Sequence, residues 1–230
     1  MYTFNGKLNW SKTVVNQTIT IVFPAGFALN DPVCAFWQWS EDASGNKKVN
    51  ANELGFINTV TTKTGKYQVL AAFSHYSLDV TFASDSSTIT ATMSNPEDEH
   101  SDVATLNRVY GNLVQFRSTV VFTGKINWSN PPLENEMITL VIPNGISNGS
   151  PVGLYQATSS VTNGINKTFR NVTTSTNGEV KGTFDDGKGY TYEVNVRSGG
   201  TDVDLLVTSS NQASTTNELK KVYGYQSSHS

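Results

Sequence analysis

The strongest constraint on the fold of this chain is an eight-residue segment that occurs twice. FNGKLNWS occupies positions 4–11, and FTGKINWS occupies positions 122–129, 118 residues later. Within each copy, apolar or small residues alternate with polar ones, which is the pattern of a β-strand with one buried face. The alternation predicts that Trp10 and Trp128 fill a core and do not form binding platforms.

The similarity continues beyond the octet and keeps its order. TITIVFPAG at 18–26 matches MITLVIPNG at 137–145, DPV at 31–33 matches SPV at 150–152, and RVYG at 108–111 matches KVYG at 221–224. A repeated unit of about 110 residues is too long for a solenoid repeat and has the size of an independent domain. We therefore predict two tandem homologous domains, at residues 1–112 and 118–226.

Each copy contains about eight short strand-like runs separated by turn residues such as Pro24-Ala25-Gly26 and Asn177-Gly178. Many short strands with frequent turns are typical of an all-β protein built from β-sandwiches, with small β-barrels as the alternative. The fourth run is predicted at 54–62 in the first copy and at 168–174 in the second. TNELKK at 216–221 is also compatible with a helical turn.

Charge and composition limit the range of partners and compartments. The chain has 230 residues and a formal net charge of −3, with 16 Lys and Arg against 19 Asp and Glu, so it lacks the basic surface that nucleic acid requires. Cys34 is the sole cysteine, which excludes an internal disulfide. No run approaches the ~18 apolar residues of a membrane span. We expect a cytoplasmic protein, or a secreted one if a signal peptide has been removed.

Motifs for catalysis or metal binding are weak. The histidines, His75, His100 and His229, are scattered singly, and no nucleophile elbow or phosphate loop occurs. NPEDEHSD at 95–102 bunches carboxylates that a Ca²⁺ ion would relieve, but a solvated loop explains them as well. Asp202 and Asp204 alternate with apolar residues in a strand, so both should face solvent beside Lys or Arg. We predict no metal site, no cofactor and no enzymatic activity.

The two copies differ at one informative place. VCAFWQW at 33–39 aligns with VGLYQAT at 152–158, so Trp37 and Trp39 correspond to Gln156 and Thr158. The polar residues of the second copy suggest that this end of the strand face reaches water, and two exposed indoles would then form a surface that calls for a partner. Alternatively, the pair packs against the second copy or completes the first core.

Exposed tryptophans suit sugars, because a pyranose has an apolar C–H face and an edge of hydroxyls. The neighbouring Gln38, Asp42 and Asn46, together with Glu41, would supply hydrogen-bonding partners for that edge. We predict a non-catalytic, carbohydrate-binding protein whose partner is a glycan or glycoconjugate, with Trp37, Trp39, Gln38, Asp42 and Asn46 as the ligand-binding residues. In general arrangement it resembles small cytosolic β-sandwich lectins, and a homo-oligomer is plausible as a base rate.

Two other functions stay open. In a membrane-active toxin or cytolysin, the aromatic residues would enter the lipid interface. In a glycosidase, two of the carboxylates of Asp31, Glu41, Asp42 and Glu53 would have to stand ~5–10 Å apart across a sugar.

Overall fold

The computed structural model describes residues 1–10, 14–40, 48–63, 66–97, 99–111, 119–129, 132–157, 162–210 and 216–224. Of several residues near strand ends, Gln38, Trp39 and Trp128 among them, only the backbone is described. The described residues form strands, turns and bends and include no helix, which confirms the all-β prediction. The chain divides into two compact units, with the main division between Gln115 and Phe116.

The first unit is a closed barrel in which each of eight strands pairs with the next and the last pairs with the first. Its strands are β1 (Tyr2–Trp10), β2 (Val14–Phe23), β3 (Pro32–Ser40), β4 (Lys48–Lys63), β5 (Lys66–Ala72), β6 (Ser77–Phe82), β7 (Thr88–Ser94) and β8 (Ala104–Gly111). The first unit is therefore a β-barrel, which the sequence predicted as the alternative to a β-sandwich.

The second unit is one nine-stranded sheet in the order β12-β11-β10-β9-β17-β16-β15-β14-β13. Its strands are β9 (Val120–Ser129), β10 (Pro132–Ile142), β11 (Pro151–Ala157), β12 (Thr162–Thr168), β13 (Arg170–Thr174), β14 (Val180–Asp185), β15 (Tyr190–Val196), β16 (Asp202–Ser209) and β17 (Asn217–Tyr223). All of TNELKK except its first residue belongs to β17, so the helical turn predicted there is wrong. Its backbone pairs with β16 on one side and β9 on the other.

The glycines of the repeated octet have the same structural role in both units. Gly6 lies directly beneath Leu106 of β8, and Gly124 lies directly beneath Leu219 of β17. Only a residue without a side chain allows the two strands to approach this closely. The repeated glycines thus mark equivalent places where two neighbouring strands approach closely, so the sequence repeat corresponds to a repeated structural feature.

The fourth strand differs between the units. In the first, β4 runs without interruption past Ile57, whose amide donates to the carbonyl of Asp31 at 2.9 Å. In the second, the equivalent residue is Phe169, whose amide donates to the carbonyl of Ser150 at 2.9 Å, and it separates β12 from β13. Both side chains are buried. Phe169, whose side chain is bulkier than that of Ile57, therefore lies at the point where the strand of the second unit is interrupted.

Each unit has its own apolar core on the inward faces of its strands. Phe4, Phe23 and Phe82 lie at the centre of the first, with ring centroids 5.5–6.1 Å apart. In the second, Phe184 stacks on Tyr192 with ring centroids 4.9 Å apart. The outward faces are mixed, because polar residues alternate with the core along most strands, but Val22 and Phe36 on the outward faces of β2 and β3 are apolar and buried as well.

Asp202 and Asp204 face solvent beside cations, as predicted. Lys220 Nζ lies 2.7 Å from Asp202 Oδ1, and Arg197 contacts both oxygens of Asp204, at 2.5 and 3.0 Å. Glu218 completes this charge ladder by contacting both Arg197 and Lys220. The D-X-D sequence is therefore part of a surface ion-pair network.

Candidate functional site

The strand register of the first barrel defines two ends. At one end, β1 finishes at Trp10, and its backbone bridges to Ser101 in the loop between β7 and β8. The turn between β5 and β6, Phe73–Tyr76, lies at this end as well. We call it the Trp10 end. The opposite end carries the β2–β3 loop with Phe27 and the β6–β7 turn, and we call it the Phe27 end.

Trp37 is buried at the Trp10 end, where only 5% of its surface is exposed. It pairs with Ile19 on β2, faces inward and belongs to the core of the first barrel. The edge of its ring meets Tyr76, with centroids 5.2 Å apart and planes at 81°. The prediction of an exposed Trp37 ring is therefore wrong. The alternative interpretation, that it completes the first core, describes its position.

The other predicted site residues belong to the same part of β3 and to the segment that follows. The backbone of Gln38 pairs with Thr18 and that of Trp39 with Val49, while their side chains lie outside the described residues. Asp42 and Asn46 also lie outside the described residues. Their predicted roles in ligand binding stay predictions.

Besides Phe73, Tyr76 and Trp10 have partly exposed rings in the described part of this end. They pack side by side against the core, with ring centroids 6.0 Å apart and planes tilted by 36°. Trp10 is thus not fully buried, in contrast to the prediction that it fills the core. Tyr76 packs against both Trp10 and Trp37. Aromatic side chains from β1, β3 and the β5–β6 turn therefore meet here.

Three carboxylates act on the Tyr76 hydroxyl through their charge. Glu53 lies on the inward face of β4, since it pairs directly with Ala35 of the core, and it accepts a hydrogen bond from Ser74 Oγ at 3.4 Å. Burial raises the pKa of Tyr76, and the negative charges of Glu53, Glu97 and Glu99 raise it further. The contribution of the three carboxylates to this shift means that they act on the ring hydroxyl with negative charge.

His75 contacts both the Tyr76 ring and the Glu97 carboxylate. Its ring stands edge-on to Tyr76, with centroids 5.3 Å apart, and its Nε2 atom lies 3.6 Å from Glu97 Oε2. Both His75 and Glu97 are more than half exposed. The pair therefore lies at the solvent side of the rings, where a ligand on Tyr76 would meet it.

The β7–β8 loop that carries Glu97 and Glu99 is tied down at both of its ends. Asn95 Oδ1 accepts hydrogen bonds from the backbone amides of Glu97 and Glu99, at 3.1 and 3.0 Å. Ser101 is 2% exposed, and its hydroxyl accepts from the Met93 amide and donates to the Asp102 carbonyl. These bonds fix the backbone of the loop that carries the two glutamates.

The second unit keeps part of this arrangement and lacks the rest. Gln156 pairs with Ile138 in the way that Trp37 pairs with Ile19, and Tyr190 begins β15 at the position equivalent to Tyr76. Its preceding turn is Asp186-Gly187-Lys188-Gly189, in which Asp186 Oδ1 accepts from the amides of Lys188 and Tyr190. A tyrosine is thus retained, but a glycine- and lysine-containing turn replaces Ser74 and His75.

A cavity of about 180 Å³ lies at the Phe27 end. Its lining consists of Phe27, Tyr67, Phe82, Ala83, Ser84 and Ser86. The Tyr67 hydroxyl already donates to the Phe27 carbonyl at 2.9 Å, and none of the lining residues is charged. The Trp10 end offers the richer combination of rings and hydrogen-bonding groups.

The remaining predictions concern metals, carboxylate pairs and membranes. Within the described residues, no three His, Cys, Asp or Glu side chains are grouped to hold a metal ion. Asp31 lies at the Phe27 end, where it accepts a hydrogen bond from the Ala28 amide, whereas Glu53 lies at the Trp10 end. These two carboxylates therefore do not form the pair that a glycosidase would place across one sugar. None of the described segments is a helix of the length and apolarity that crossing a bilayer requires.

Comparisons with protein-family models, with curated proteins and with solved structures give no match to this chain.

Sequence reasoning missed Tyr76, His75 and the two loop glutamates as members of one site. Tyr76 lies 39 positions after Trp37, and its turn carries no motif. The acidic loop was visible in the sequence as NPEDEHSD, but its nearness to the tryptophans follows from the barrel's strand pairing. Alternation along one strand cannot supply that information.

Proposed function

We propose that this protein is a non-catalytic, carbohydrate-binding protein whose site is at the Trp10 end of the first barrel. The observation that supports the proposal is the packing of Tyr76 against Trp10 and Trp37, next to His75 and its partner Glu97. A sugar ring can rest its C–H face on the partly exposed Tyr76 and Trp10, while its hydroxyls donate to Glu97 and Glu99. The mouths of small barrels are common places for such sites.

Trp37 has a supporting role in this proposal. Its buried ring meets Tyr76 nearly at a right angle, so it fixes the orientation of the ring that a ligand would touch. Tyr76 and Trp10 replace Trp37 as the rings in contact with sugar. Gln38, Trp39, Asp42 and Asn46 stay in the proposal as further contacts, since they follow Trp37 along the chain.

Binding to a glycan array, followed by calorimetry on the best ligand, tests the proposal. Tyr76→Leu removes the aromatic face but keeps an apolar side chain, and we expect it to lower affinity at least tenfold. Tyr190→Leu makes the same change at the equivalent position of the second unit and serves as the matched control. Thermal unfolding of both variants shows that the fold is intact.

Unchanged glycan binding by Tyr76→Leu would refute this site. Two further assays on the same samples separate the other functions. Release of a dye from vesicles without inhibition by sugars would indicate membrane activity. Reducing ends released from the bound glycan would indicate a glycosidase that uses the carboxylates that act on Tyr76.

A further inference from the structure

The carboxylates that act on Tyr76 among the described residues restrict the class of glycan that the site accepts. Glu53, Glu97 and Glu99 come from β4 and the β7–β8 loop and act on the same hydroxyl. Among the described residues, no Lys or Arg contributes to the electrostatics of Tyr76. The first 112 residues as a whole contain seven Lys and Arg against ten Asp and Glu.

The rings add to this preference. A cation is attracted to the face of an indole or phenol ring, and cages of aromatic side chains with neighbouring carboxylates recognise ammonium groups. The rings of Trp10 and Tyr76 are partly exposed and tilted relative to each other, and the buried Trp37 packs against Tyr76. Glu97 lies 3.6 Å from His75 Nε2 and reaches the solvent side of Tyr76, where it can pair with a bound cation.

We propose that the Trp10 end selects glycans with free amino groups, such as oligomers of β-linked glucosamine, over neutral N-acetylated or acidic glycans. This inference rests on the proposed carbohydrate-binding function and specifies its ligand class. The ammonium group lies against the faces of Tyr76 and Trp10 and is paired with Glu97, while the sugar hydroxyls occupy the remaining carboxylate oxygens. An acidic sugar meets three like charges in the same place and is rejected.

The loop geometry makes this selection specific to the first unit. Asn95 holds the amides of Glu97 and Glu99 and also donates to Glu99 Oε2 at 3.2 Å, so the loop backbone and the Glu99 carboxylate have a defined position before a ligand arrives. The equivalent turn of the second unit carries Lys188 in place of His75 and its neighbours. That turn carries Lys188 together with Asp186, so its charge is mixed.

Calorimetry tests the selection by comparing tetrasaccharides of glucosamine, of N-acetylglucosamine and of a uronic acid. The measurements are made at about pH 6, where amines with a pKa of about 8 are protonated. We expect the glucosamine oligomer to bind about tenfold more tightly than the neutral one, and its affinity to fall as NaCl rises from about 50 to about 500 mM. Glu97→Gln should weaken binding of the cationic oligomer several-fold more than binding of the neutral one, because the amide oxygen still accepts from a hydroxyl but carries no charge to pair with the ammonium group. Glu179→Gln removes the same charge from the second unit and is the control.

Each outcome has a distinct meaning. Equal binding of the neutral and cationic oligomers, or tighter binding of the neutral one, overturns the charge selection and leaves the carbohydrate-binding function standing. A cationic preference that Glu97→Gln and Glu179→Gln reduce to the same degree also overturns the assignment, because it reports net charge and not this site. Failure of all three oligomers and of a wider glycan array overturns the proposed function together with this inference.

Discussion

Gly6 and Leu106 approach so closely that a Cβ atom at Gly6 would lie 2.5 Å from the leucine Cδ2 atom. The same contact occurs between Gly124 and Leu219, at 2.6 Å, but there the nearest carbonyl oxygen, that of Glu218, is 2.7 Å away, against 3.1 Å for the carbonyl oxygen of Thr105 at Gly6. A leucine methyl group can move, whereas a backbone carbonyl in a sheet cannot. We therefore expect Gly124→Ala to cost about 2–3 kcal/mol of unfolding free energy and Gly6→Ala about 1 kcal/mol.

Urea denaturation of both variants measures these costs. Gly178→Ala, at a turn with positive φ and open space around it, separates backbone strain from collision with a neighbour. Equal costs at Gly6 and Gly124 would show that the carbonyl contact does not determine the penalty.

Trp37→Ala should destabilise the first barrel by about 3–5 kcal/mol, because it leaves a large cavity beneath Tyr76. Tyr76→Ala should cost less, about 1–2 kcal/mol, since its ring is partly in water. Chemical denaturation followed by the remaining tryptophans compares the two variants. A Trp37→Ala protein as stable as the wild type would show that the indole is not a core residue.

Ser101→Ala removes a buried hydroxyl that bonds the Met93 amide at 2.9 Å and the Asp102 carbonyl at 2.9 Å. We expect a loss of about 1–3 kcal/mol, because both backbone groups lose a partner in a buried place. The same change should weaken glycan binding, since the loop with Glu97 loses its anchor. Ser87→Ala, in an exposed turn, is the matched control and should affect neither property.

The charge ladder of the second unit predicts a loss of stability in acid. The hydrogen bond from Lys220 is the main cause that holds the pKa of Glu218 and of Asp202 below their ordinary values of 4.5 and 3.8. A lowered pKa stabilises the fold above the ordinary value, and this contribution disappears as the pH falls through the lowered pKa. The Tm difference between wild type and Lys220→Met should therefore be present at about pH 7 and vanish near pH 2–3.

Because these side chains are exposed, high salt should also reduce that difference. Lys188→Met removes the same charge from a turn and controls for net charge. A difference in Tm between wild type and Lys220→Met that persists unchanged down to about pH 2 would contradict the role of the carboxylates.

Cys34 should be inert in the folded protein. It is fully buried, and burial raises the pKa of its thiol to about 12. The reactive thiolate is thus nearly absent at neutral pH, and reagents cannot reach the sulfur. An aromatic disulfide reagent should label the protein only in denaturant, and rapid labelling of the native protein would contradict this expectation.

The strand pattern could be predicted from sequence where one face of a strand is apolar. β1 spans Tyr2–Trp10 as its alternation indicates. The stretch Lys48–Glu53 was missed, and so was most of Thr162–Thr168, because their polar residues show no alternation. These segments are strands because they complete the backbone pairing of β3 and β11, which is a tertiary cause.

The candidate site could be predicted only in part. Comparison of the two copies directed attention to Trp37, whose counterpart Gln156 has the same register. The inference that Trp37 faces water was wrong because a polar counterpart in one copy does not expose its equivalent in the other. Tyr76 covers the indole from a turn that is distant in sequence, and only the closed barrel brings the two together.

Because Ser101 and Asn95 bind the acidic loop to the barrel, the loop's conformational entropy is already lost when the chain folds. A ligand that reaches Tyr76 then has little ordering to accomplish, so most of its contact energy is retained as affinity. We expect association without a slow rearrangement step, and differences among glycans to appear mainly in how long each complex survives.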